Sequence, residues 1–392
     1  MRKVYLDHNA TTPLHPEVKK TIIDNLDLFG NASSAHFFGL EAREAIEKAR
    51  EKLARLINAE PEEIIFTSCG SESNNLVIKG VTCQDIYCKP NSARPGRHII
   101  TSQIEHPSVM NPIKTLERQG FKVTWLPVDQ YGVVDPDLVR KSITRQTVLI
   151  TIMTANNEIG TIQPIQEIAE IAREHDIYFH TDAVQAVGKL EIDVKELGVD
   201  FLSLSGHKIY APKGVAAVYI RKGVDVCPLL HGGHQERGLR GGTENTLGII
   251  ALGKACEVAM REREKWVEKI WSLRERLRKG ILERIPEVII NGHPEKVLPN
   301  TLSVTFKYVE GESILLKLSA RGIAVSTGSA CSTGSLEPSH VLLAIGLPHE
   351  LAHGTIRFSL GFENNEEDID YTLEVLPKVI QELREMSPLW QG

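Results

Sequence analysis

Residues 201–208 read FLSLSGHK, a short apolar strand that ends abruptly in a serine, a glycine, a histidine and a lysine. Residues 178–185 read YFHTDAVQ and follow the same pattern, with an acid, Asp182, at the end of the strand. The 26 positions from Asp182 to Lys208 leave room for one helix and the next strand of the same sheet. Since α/β proteins bind ligands at the carboxyl ends of their strands, the two strand ends predict a ligand site at one sheet edge.

Working outward from these strands, short β-branched or apolar runs alternate with amphipathic helical stretches such as residues 165–174. Seven such runs are candidate strands: residues 64–68, 98–102, 122–128, 147–153, 178–182, 201–205 and 215–220. Several are apolar almost throughout, which is typical of strands that are covered on both faces. The pattern predicts an α/β fold with a mostly parallel seven-stranded sheet.

The sequence changes character after about residue 250. Residues 254–285 form one long, heavily charged helical pattern, whose mixed signs at three- and four-residue spacing indicate a solvated face. A strand-like run follows at 301–306, with later helices near 314–319 and 368–385. We expect two domains: a large one over residues 15–250, and a smaller α+β one built from residues 1–14 and 251–392.

Composition excludes several classes of protein. The 392 residues include 45 Lys and Arg against 51 Asp and Glu, a formal net charge of −6, so no basic surface for nucleic acid is expected. No apolar run reaches the roughly 18–20 residues that cross a bilayer. The amino terminus reaches Asp7 before an apolar signal segment can form. These features predict a cytoplasmic protein that binds neither nucleic acid nor membrane.

Lys208 and Asp182 together suggest pyridoxal phosphate chemistry. That cofactor needs a lysine that holds its aldehyde as an imine and an acid that keeps its pyridine nitrogen protonated. Alone, such a lysine is usually solvated, and such an aspartate is equally often a helix N-cap. Residues 68–75 read SCGSESNN and lead into a helix near Leu76. Backbone N–H groups at that helix start suit a phosphate, although small residues there are also an ordinary cap.

Six cysteines, at 69, 83, 88, 227, 256 and 331, form no C-x-x-C pair, so a zinc module is not expected. Five of them have the surroundings of ordinary structural thiols. Cys331 differs, because every other residue from 326 to 335 is Ser, Thr, Gly or Ala. Such a composition cannot pack as core, and it predicts a mobile, exposed loop that carries a thiol.

Seven motifs, in order along the chain, resemble the cysteine desulfurases of the NifS/IscS type. These are class-V aminotransferases, which are fold-type I pyridoxal-phosphate enzymes. The motifs are YLDHNATTP at 5–13, FGN at 29–31, EH at 105–106, NNEIG at 156–160, DAVQ at 182–185, SGHK at 205–208 and SACS at 329–332. The resemblance runs essentially from end to end.

The resemblance implies a role for each residue that matches the family's cofactor site. Lys208 would hold the cofactor as an imine and move protons, and Asp182 would bond the pyridine nitrogen. His106 would stack on the ring and assist proton transfer. Asn157 and Gln185 would contact the ring near its phenolic oxygen.

Further residues would bind the phosphate and the substrate. The phosphate ligands implied by the family are Gly70, Ser71, Ser205 and His207. Thr243 would reach the phosphate of a neighbouring subunit, which implies a homodimer with shared sites. Arg357, with Asn157 beside it, would bind the substrate carboxylate, a role that suits the fork shape of guanidinium.

In the same family Cys331 is the residue that receives the sulfur. Its thiolate would attack the sulfur of L-cysteine and leave L-alanine and a Cys331 persulfide. The sulfur would then pass to an iron–sulfur scaffold protein and other acceptors for iron–sulfur cluster assembly. Cys331 would have a further, metal-binding role as a transient ligand of a [2Fe–2S] cluster shared with the scaffold. The loop length resembles the longer-loop group of the family.

Two other functions stay open on the sequence. One is an aminotransferase or a selenocysteine lyase on the same fold, and the other is an assembly scaffold that mainly binds sulfur acceptors. A loop thiol at 331 favours sulfur transfer, and the intact cofactor set disfavours a scaffold. The chain also departs from the family at two places. It has Ser68-Cys69-Gly70-Ser71 where relatives commonly have Ser-Gly-Ala-Thr, and Ala32 where many have proline. We expect phosphate binding to survive these changes.

Overall fold

A computed structural model describes residues 2–83, 96–327, 338–388 and 390 of the chain. Within these ranges the strands are β1 Val4–Tyr5, β2 Ile64–Thr67, β3 His98–Ser102, β4 Lys122–Leu126, β5 Thr147–Thr151, β6 Tyr178–Asp182, β7 Phe201–Ser205, β8 Ala216–Ile220, β9 Val288–Asn291, β10 Thr301–Phe306, β11 Ile323–Ala324 and β12 Thr355–Ser359. The helices are α1 Pro16–Asp24, α2 Phe37–Leu56, α3 Gly70–Thr82, α4 Pro107–Arg118, α5 Pro136–Ser142, α6 Ile165–Glu174, α7 Val194–Leu197, α8 Thr246–Arg284, α9 Gly311–Ser319, α10 His340–Ala344, α11 His349–Ala352 and α12 Glu366–Glu385.

The seven predicted strands form one sheet, in the order β2-β8-β7-β6-β5-β3-β4. The pairs β7–β6, β6–β5, β5–β3 and β3–β4 are parallel, and β8 runs antiparallel to both of its neighbours. The predicted α/β fold with a mostly parallel sheet is therefore confirmed. Most of these strands are buried along their whole length because helices cover both faces, as their apolar sequences require.

The parallel pairing brings the carboxyl ends of β6 and β7 to the same sheet edge. Asp182 pairs with Ser203, so Asp182 lies two strand positions from the end of β7 at Ser205. The chain after Ser205 makes one tight 3-10 turn, Gly206–Lys208, which places Lys208 directly beyond the sheet. The expected juxtaposition of the two strand ends is thus present.

The remaining strands of the described chain form two further sheets. One is three-stranded and antiparallel, in the order β12-β10-β9, and the other pairs β1 with β11 in parallel. The long helix α8 begins eight residues before the predicted start, where the Asn245 side chain accepts a hydrogen bond from the Gly248 N–H at 3.1 Å. The predicted strand at 301–306 is β10, with the same bounds.

Buried apolar side chains of α8 belong to two different cores. Residues from Ile249 to Ala259 pack with the large sheet, and residues from Ile270 to Ile281 pack with the smaller sheets. Val4 and Leu6 from the start of the chain join the second core. Within the described residues, none of the helices has the length and apolar character that a membrane crossing would require.

Candidate active site

A cavity of about 340 Å³ opens at the carboxyl edge of the large sheet. Its lining residues come from strand ends, from the starts of α3 and α4, and from the amino-terminal segment. Ten predicted site residues line it: Gly70, Ser71, His106, Asn157, Asp182, Gln185, Ser205, His207, Lys208 and Arg357. The structure therefore brings together side chains that are up to 287 positions apart, as far as Gly70 is from Arg357.

Lys208 is held by backbone carbonyls on the cavity wall. Its Nζ donates to Asn9 O at 2.5 Å and to Ala10 O at 2.7 Å. The Gln185 side chain approaches the same carbonyl, with its Nε2 donating to Asn9 O at 3.0 Å. The amine is thus directed into the cavity by the turn after β7 and by the amino-terminal segment.

Asp182 is buried and accepts two hydrogen bonds from well-defined donors. The Val184 N–H donates to its Oδ1 at 3.0 Å, and the Asn74 side-chain amide donates to its Oδ2 at 2.7 Å. Asp182 therefore fixes the turn after β6 without heading an α-helix. Its carboxylate lines the cavity, where it can accept a further hydrogen bond from a protonated ring nitrogen.

His106 is the N-cap of α4 and also lines the cavity. The Ser108 N–H donates to its Nδ1 at 3.1 Å, which satisfies one of the free N–H groups at the helix start. Burial lowers the pKa of His106, Asp182 raises it, and Lys208 and His340 lower it further. His106 thus both caps a helix and lines the cavity.

The phosphate end of the cavity fits a dianion. Gly70 is the first residue of α3, so its helix start directs N–H groups toward the cavity. A Cβ on Gly70 would come within 2.9 Å of the Val184 side chain and 3.5 Å of Ser205, which would narrow this end. The Ser205 hydroxyl is buried and meets no hydrogen-bond partner among the described residues. Ordinary packing would not leave such a group unpaired, so the residues present fit a phosphate.

His207 completes this end of the cavity. Its Nδ1 lies 3.1 Å from the Thr11 hydroxyl. Burial and the positive charges of Lys208, Lys213 and Lys189 lower the pKa of His207 to about 4. The ring is therefore neutral at physiological pH, and its N–H is a neutral donor.

Arg357 reaches the cavity from β12. Its Nη2 lies 2.7 Å from Asp7 Oδ1, and its Nη1 donates to Asn157 O at 3.0 Å. The side chain is only 4% exposed, and its Nε is buried without a partner among the described atoms. A buried guanidinium with an unused N–H is suited to a carboxylate.

Several residues of the site could not be assigned a role from sequence. Asn9 and Ala10 contribute backbone carbonyls, Asn74 contacts Asp182, and Cys69 lines the cavity as an exposed thiol. The only available signal was their position inside the quoted motifs. Lys189 lies beside the site and outside those motifs: it is half-buried and donates to Gln185 O and Oε1 at 3.0 and 3.1 Å.

Two predicted residues are not among the residues lining this cavity. Thr243 lines a separate pocket with Thr67, Ser68 and Arg240. Cys331 lies outside the described residues, as do the rest of the segment 328–337 and Cys88. The chain on either side of that segment is described, and Ser326 and His340 both contact cavity residues or their neighbours.

The cavity is surrounded by an amine, a buried carboxylate, a helix start and a buried guanidinium whose Nε has no partner among the described atoms. These groups are suited to an amino acid bound through pyridoxal phosphate. Residues 4–372 match the family described as Aminotransferase class-V. "Cysteine desulfurase IscS" of Dictyoglomus turgidum is 55% identical over 391 residues, which cover 100% of this chain and 98% of that protein. The chain belongs to the cysteine desulfurase family.

Solved structures agree with this assignment. A "NIFS-LIKE PROTEIN" is 40% identical with a TM-score of 0.90, over 97% of this chain and 100% of that one. "SspA in complex with cysteine" is also 40% identical, with a TM-score of 0.79 over 92% of this desulfurase and 99% of that chain. The predicted fold type, cofactor and enzyme class are confirmed. The relatives do not favour the aminotransferase, selenocysteine lyase or scaffold alternatives.

Proposed function

We propose that this desulfurase takes sulfur from L-cysteine, leaves L-alanine and carries the sulfur as a persulfide on Cys331. The observation that carries the proposal is the position of Arg357 in the same cavity as Lys208 and Asp182. One end of the cavity then binds an amino-acid carboxylate, and the other binds the cofactor. The solved relative that holds cysteine supports this substrate.

Lys208, Asp182 and His106 are proposed as the residues at the cofactor. Bound pyridoxal phosphate supplies an electron sink for the amino acid. Lys208 would hold the cofactor and move protons at its Nζ. Asp182 would accept a hydrogen bond from the ring nitrogen and keep that nitrogen protonated. His106 would assist proton transfer beside the ring, while Asn157 and Gln185 would contact its oxygen side.

Gly70, Ser71, Ser205 and His207 are proposed to bind the phosphate. The unpartnered hydroxyl of Ser205 supports this role for that end of the cavity. Ser71 is the second residue of α3, where its backbone N–H is free of intrahelical bonds. The Cys69 and Ser71 departures leave both the helix start and a hydroxyl in place.

Sulfur transfer is proposed to use Arg357 and Cys331 together. Arg357, with Asn157, binds the substrate carboxylate. The Cys331 thiolate attacks the substrate sulfur, the carbon–sulfur bond breaks, and its electron pair takes a proton to form the methyl group of alanine. Ser326 and His340 lie near the two ends of the 328–337 segment, and they contact Arg357 and Glu105 respectively. These contacts support the proposal that Cys331 can reach the cavity.

We also propose a homodimer in which Thr243 of each subunit contacts the phosphate bound by the other. The location of Thr243 in a pocket separate from its own chain's cavity supports such an exchange. Delivery to an iron–sulfur scaffold, and transient [2Fe–2S] ligation by Cys331, belong to the same proposal. The cytoplasmic location stays a prediction.

The two-domain division is proposed as well, with residues 15–250 as the large domain and residues 1–14 plus 251–392 as the small one. The two separate cores along α8 support it. The residues of α8 up to Ala259 pack on the large core, so the helix crosses the divide.

Activity on L-cysteine tests the proposal directly. The purified enzyme with pyridoxal phosphate should release alanine and, with a thiol reductant, an equal amount of sulfide. Cys331→Ala should lose sulfide release while still binding cysteine, and Cys69→Ala is the matched control that should keep it. Colour from bound cofactor without alanine formation would overturn the proposed activity.

A further inference from the structure

Asn74 and Ser108 connect Asp182 to His106. Asn74 lies on α3 and is completely buried, and Ser108 is the second residue of α4. The Asn74 Nδ2 group donates to Asp182 Oδ2 at 2.7 Å and to Ser108 Oγ at 2.8 Å. Ser108 Oγ lies 2.7 Å from His106 Nδ1. One chain of hydrogen bonds therefore joins the end of β6 to the start of α4.

The chemistry of the partners fixes where the hydrogens lie. An ionised carboxylate only accepts, so Asn74 turns its NH₂ toward Asp182 and uses the second hydrogen for Ser108 Oγ. The backbone N–H of Ser108 donates to His106 Nδ1 at 3.1 Å, so Nδ1 carries no hydrogen. The Ser108 hydroxyl then donates to Nδ1 as well. In the neutral ring the hydrogen is left on Nε2.

The unpaired side-chain carbonyl of Asn74 indicates that this amide serves the fold through its two N–H groups. Its Oδ1 is buried and meets no hydrogen-bond partner among the described residues. A buried polar atom without a partner destabilises a fold, so an apolar residue at this position would avoid that cost. The amide is instead present where both of its hydrogens are used.

We propose that Asn74 and Ser108 are positioning residues that hold the His106 ring neutral with its hydrogen on Nε2, and that they tie this tautomer to an ionised Asp182. This inference rests on the proposed role of His106 and deepens it. A second proton can enter the ring only at Nδ1, where both donors of Ser108 already point. His106 therefore presents an N–H at Nε2 rather than a bare nitrogen.

The charged groups that face His106 lie on three elements or turns. Asp182 ends β6, Lys208 lies in the turn after β7, and His340 begins α10. Burial is the largest influence and lowers the pKa of His106; Asp182 opposes it, and the other two groups reinforce it. A neutral ring is consistent with this balance.

The tautomer can be measured without reference to turnover. The cofactor-loaded enzyme is labelled with ring-¹³C histidine, and the His106 signal is assigned by its loss in His106→Gln. The ring carbon shifts then report which nitrogen carries the hydrogen, and their pH dependence reports the pKa of His106. We expect the Nε2–H form and a midpoint below the ordinary value of 6.5.

Variants of the two positioning residues separate this proposal from a merely structural role. Ser108→Ala should raise the His106 midpoint by about half a unit to one unit, the size of one lost hydrogen bond. Asn74→Leu removes the donor to Ser108 Oγ, so that hydroxyl becomes able to accept from Nδ1 of the protonated ring, and the His106 midpoint should rise as well. Ser108→Thr keeps the hydroxyl and should restore the parental signal. Thr115→Ala, which removes a half-buried hydroxyl that donates to Asn111 O on the same helix, is the control.

The results test the tautomer of His106 and its proposed role in catalysis separately. An Nδ1–H ring in the parent enzyme would overturn the inference, and so would unchanged shifts and midpoints in both Ser108→Ala and Asn74→Leu. If His106→Gln instead kept the parental rate of alanine formation, the proposed role of His106 would fail while the measured tautomer still stood.

Discussion

Arg357 and Ser326 are paired through their backbones, with Arg357 N donating to Ser326 O at 2.7 Å and Ser326 N donating to Arg357 O at 3.2 Å. The residue proposed to bind the substrate carboxylate is thus attached to the chain that leads to Cys331. Beyond residues 328–337, the His340 Nε2 lies 2.9 Å from Glu105 O, one residue before His106. The proposed carboxylate ligand is therefore linked directly to one described end of the segment that contains Cys331.

The first prediction concerns the carboxylate. Arg357→Ala should raise KM for L-cysteine by about 10- to 100-fold, because a charge-assisted hydrogen bond contributes roughly 1.5–3 kcal/mol. Arg357→Lys keeps the charge but loses the forked guanidinium, so its KM should lie between those of the parent enzyme and Arg357→Ala. Steady-state kinetics, with cofactor content measured in parallel, provide the check. An unchanged KM in Arg357→Ala would remove Arg357 from the substrate site.

Lys208→Ala should abolish turnover. Without the amine, covalent attachment and proton transfer are both lost, so we expect a fall in kcat of about 10³-fold or more. Lys213→Ala is the control, since Lys213 is an exposed lysine on the same turn. Alanine formation over several hours gives the measurement. Turnover near the parental rate in Lys208→Ala would assign the cofactor to another amine.

The ion pair between Arg50 and Glu236 predicts a large effect on stability. The two side chains are 4% and 3% exposed, with Arg50 Nη2 2.8 Å from Glu236 Oε1, and Glu236 also accepts from the Phe66 N–H at 2.7 Å. Glu236→Ala leaves the buried guanidinium with the exposed Glu47 as its remaining carboxylate partner, so the free energy of unfolding should fall by about 3–5 kcal/mol. Urea unfolding measures it.

Two comparisons make that result specific. Replacing both partners, with Arg50→Met and Glu236→Leu together, should cost much less than Glu236→Ala alone, because no buried charge is left over. Breaking the exposed Lys20–Asp24 pair with Lys20→Ala should cost under about 1 kcal/mol. Equal losses in the single and double variants would contradict the burial argument.

Lys189 predicts a pH-dependent stability. Burial, with the nearby charges of Lys208 and Arg357, lowers its pKa from 10.5 to about 7. Between these two values the unfolded chain binds one more proton than the folded chain, so the stability of the fold rises with pH across this window. Below about pH 7 the folded protein carries a buried ammonium, and the cost is fully present.

Lys189→Met removes that contribution. The difference in unfolding free energy between the variant and the parent should favour the variant most at about pH 6 and decline by about pH 9. Cofactor-free protein is used for both, and exposed Lys222→Met is the control. A difference that is the same at both pH values would mean that Lys189 titrates normally.

Much of the fold was predictable because strand periodicity is local. All seven strands of the large sheet were located, with ends within two residues of those observed. The start of α3 was missed by six residues, because Gly70 to Asn75 are small and polar and give no apolar period. The start of α8 was late for a different reason: its first turns pack on the large core, so their sequence lacks the charged face that marked the rest.

Lys208 and Asp182 could be predicted as cavity residues because their residue types carry chemistry at strand ends, whereas Arg357 was implied only by the family resemblance. Asn74 and Ser108 act only through contacts made across helices, so no spacing along the chain identifies them. Asn9 and Ala10 contribute backbone carbonyls, which any residue supplies. Such roles depend on the tertiary fold and become visible only in it.

Sulfur from L-cysteine is proposed to become covalently attached to Cys331. Cofactor-loaded enzyme is mixed with a slight excess of L-cysteine, quenched within a single turnover and digested for mass spectrometry without reductant. We expect a peptide containing Cys331 that is heavier by one sulfur atom, in an amount equal to the alanine formed. Alanine formed in full with the extra sulfur absent from Cys331, or located on Cys69, would contradict it.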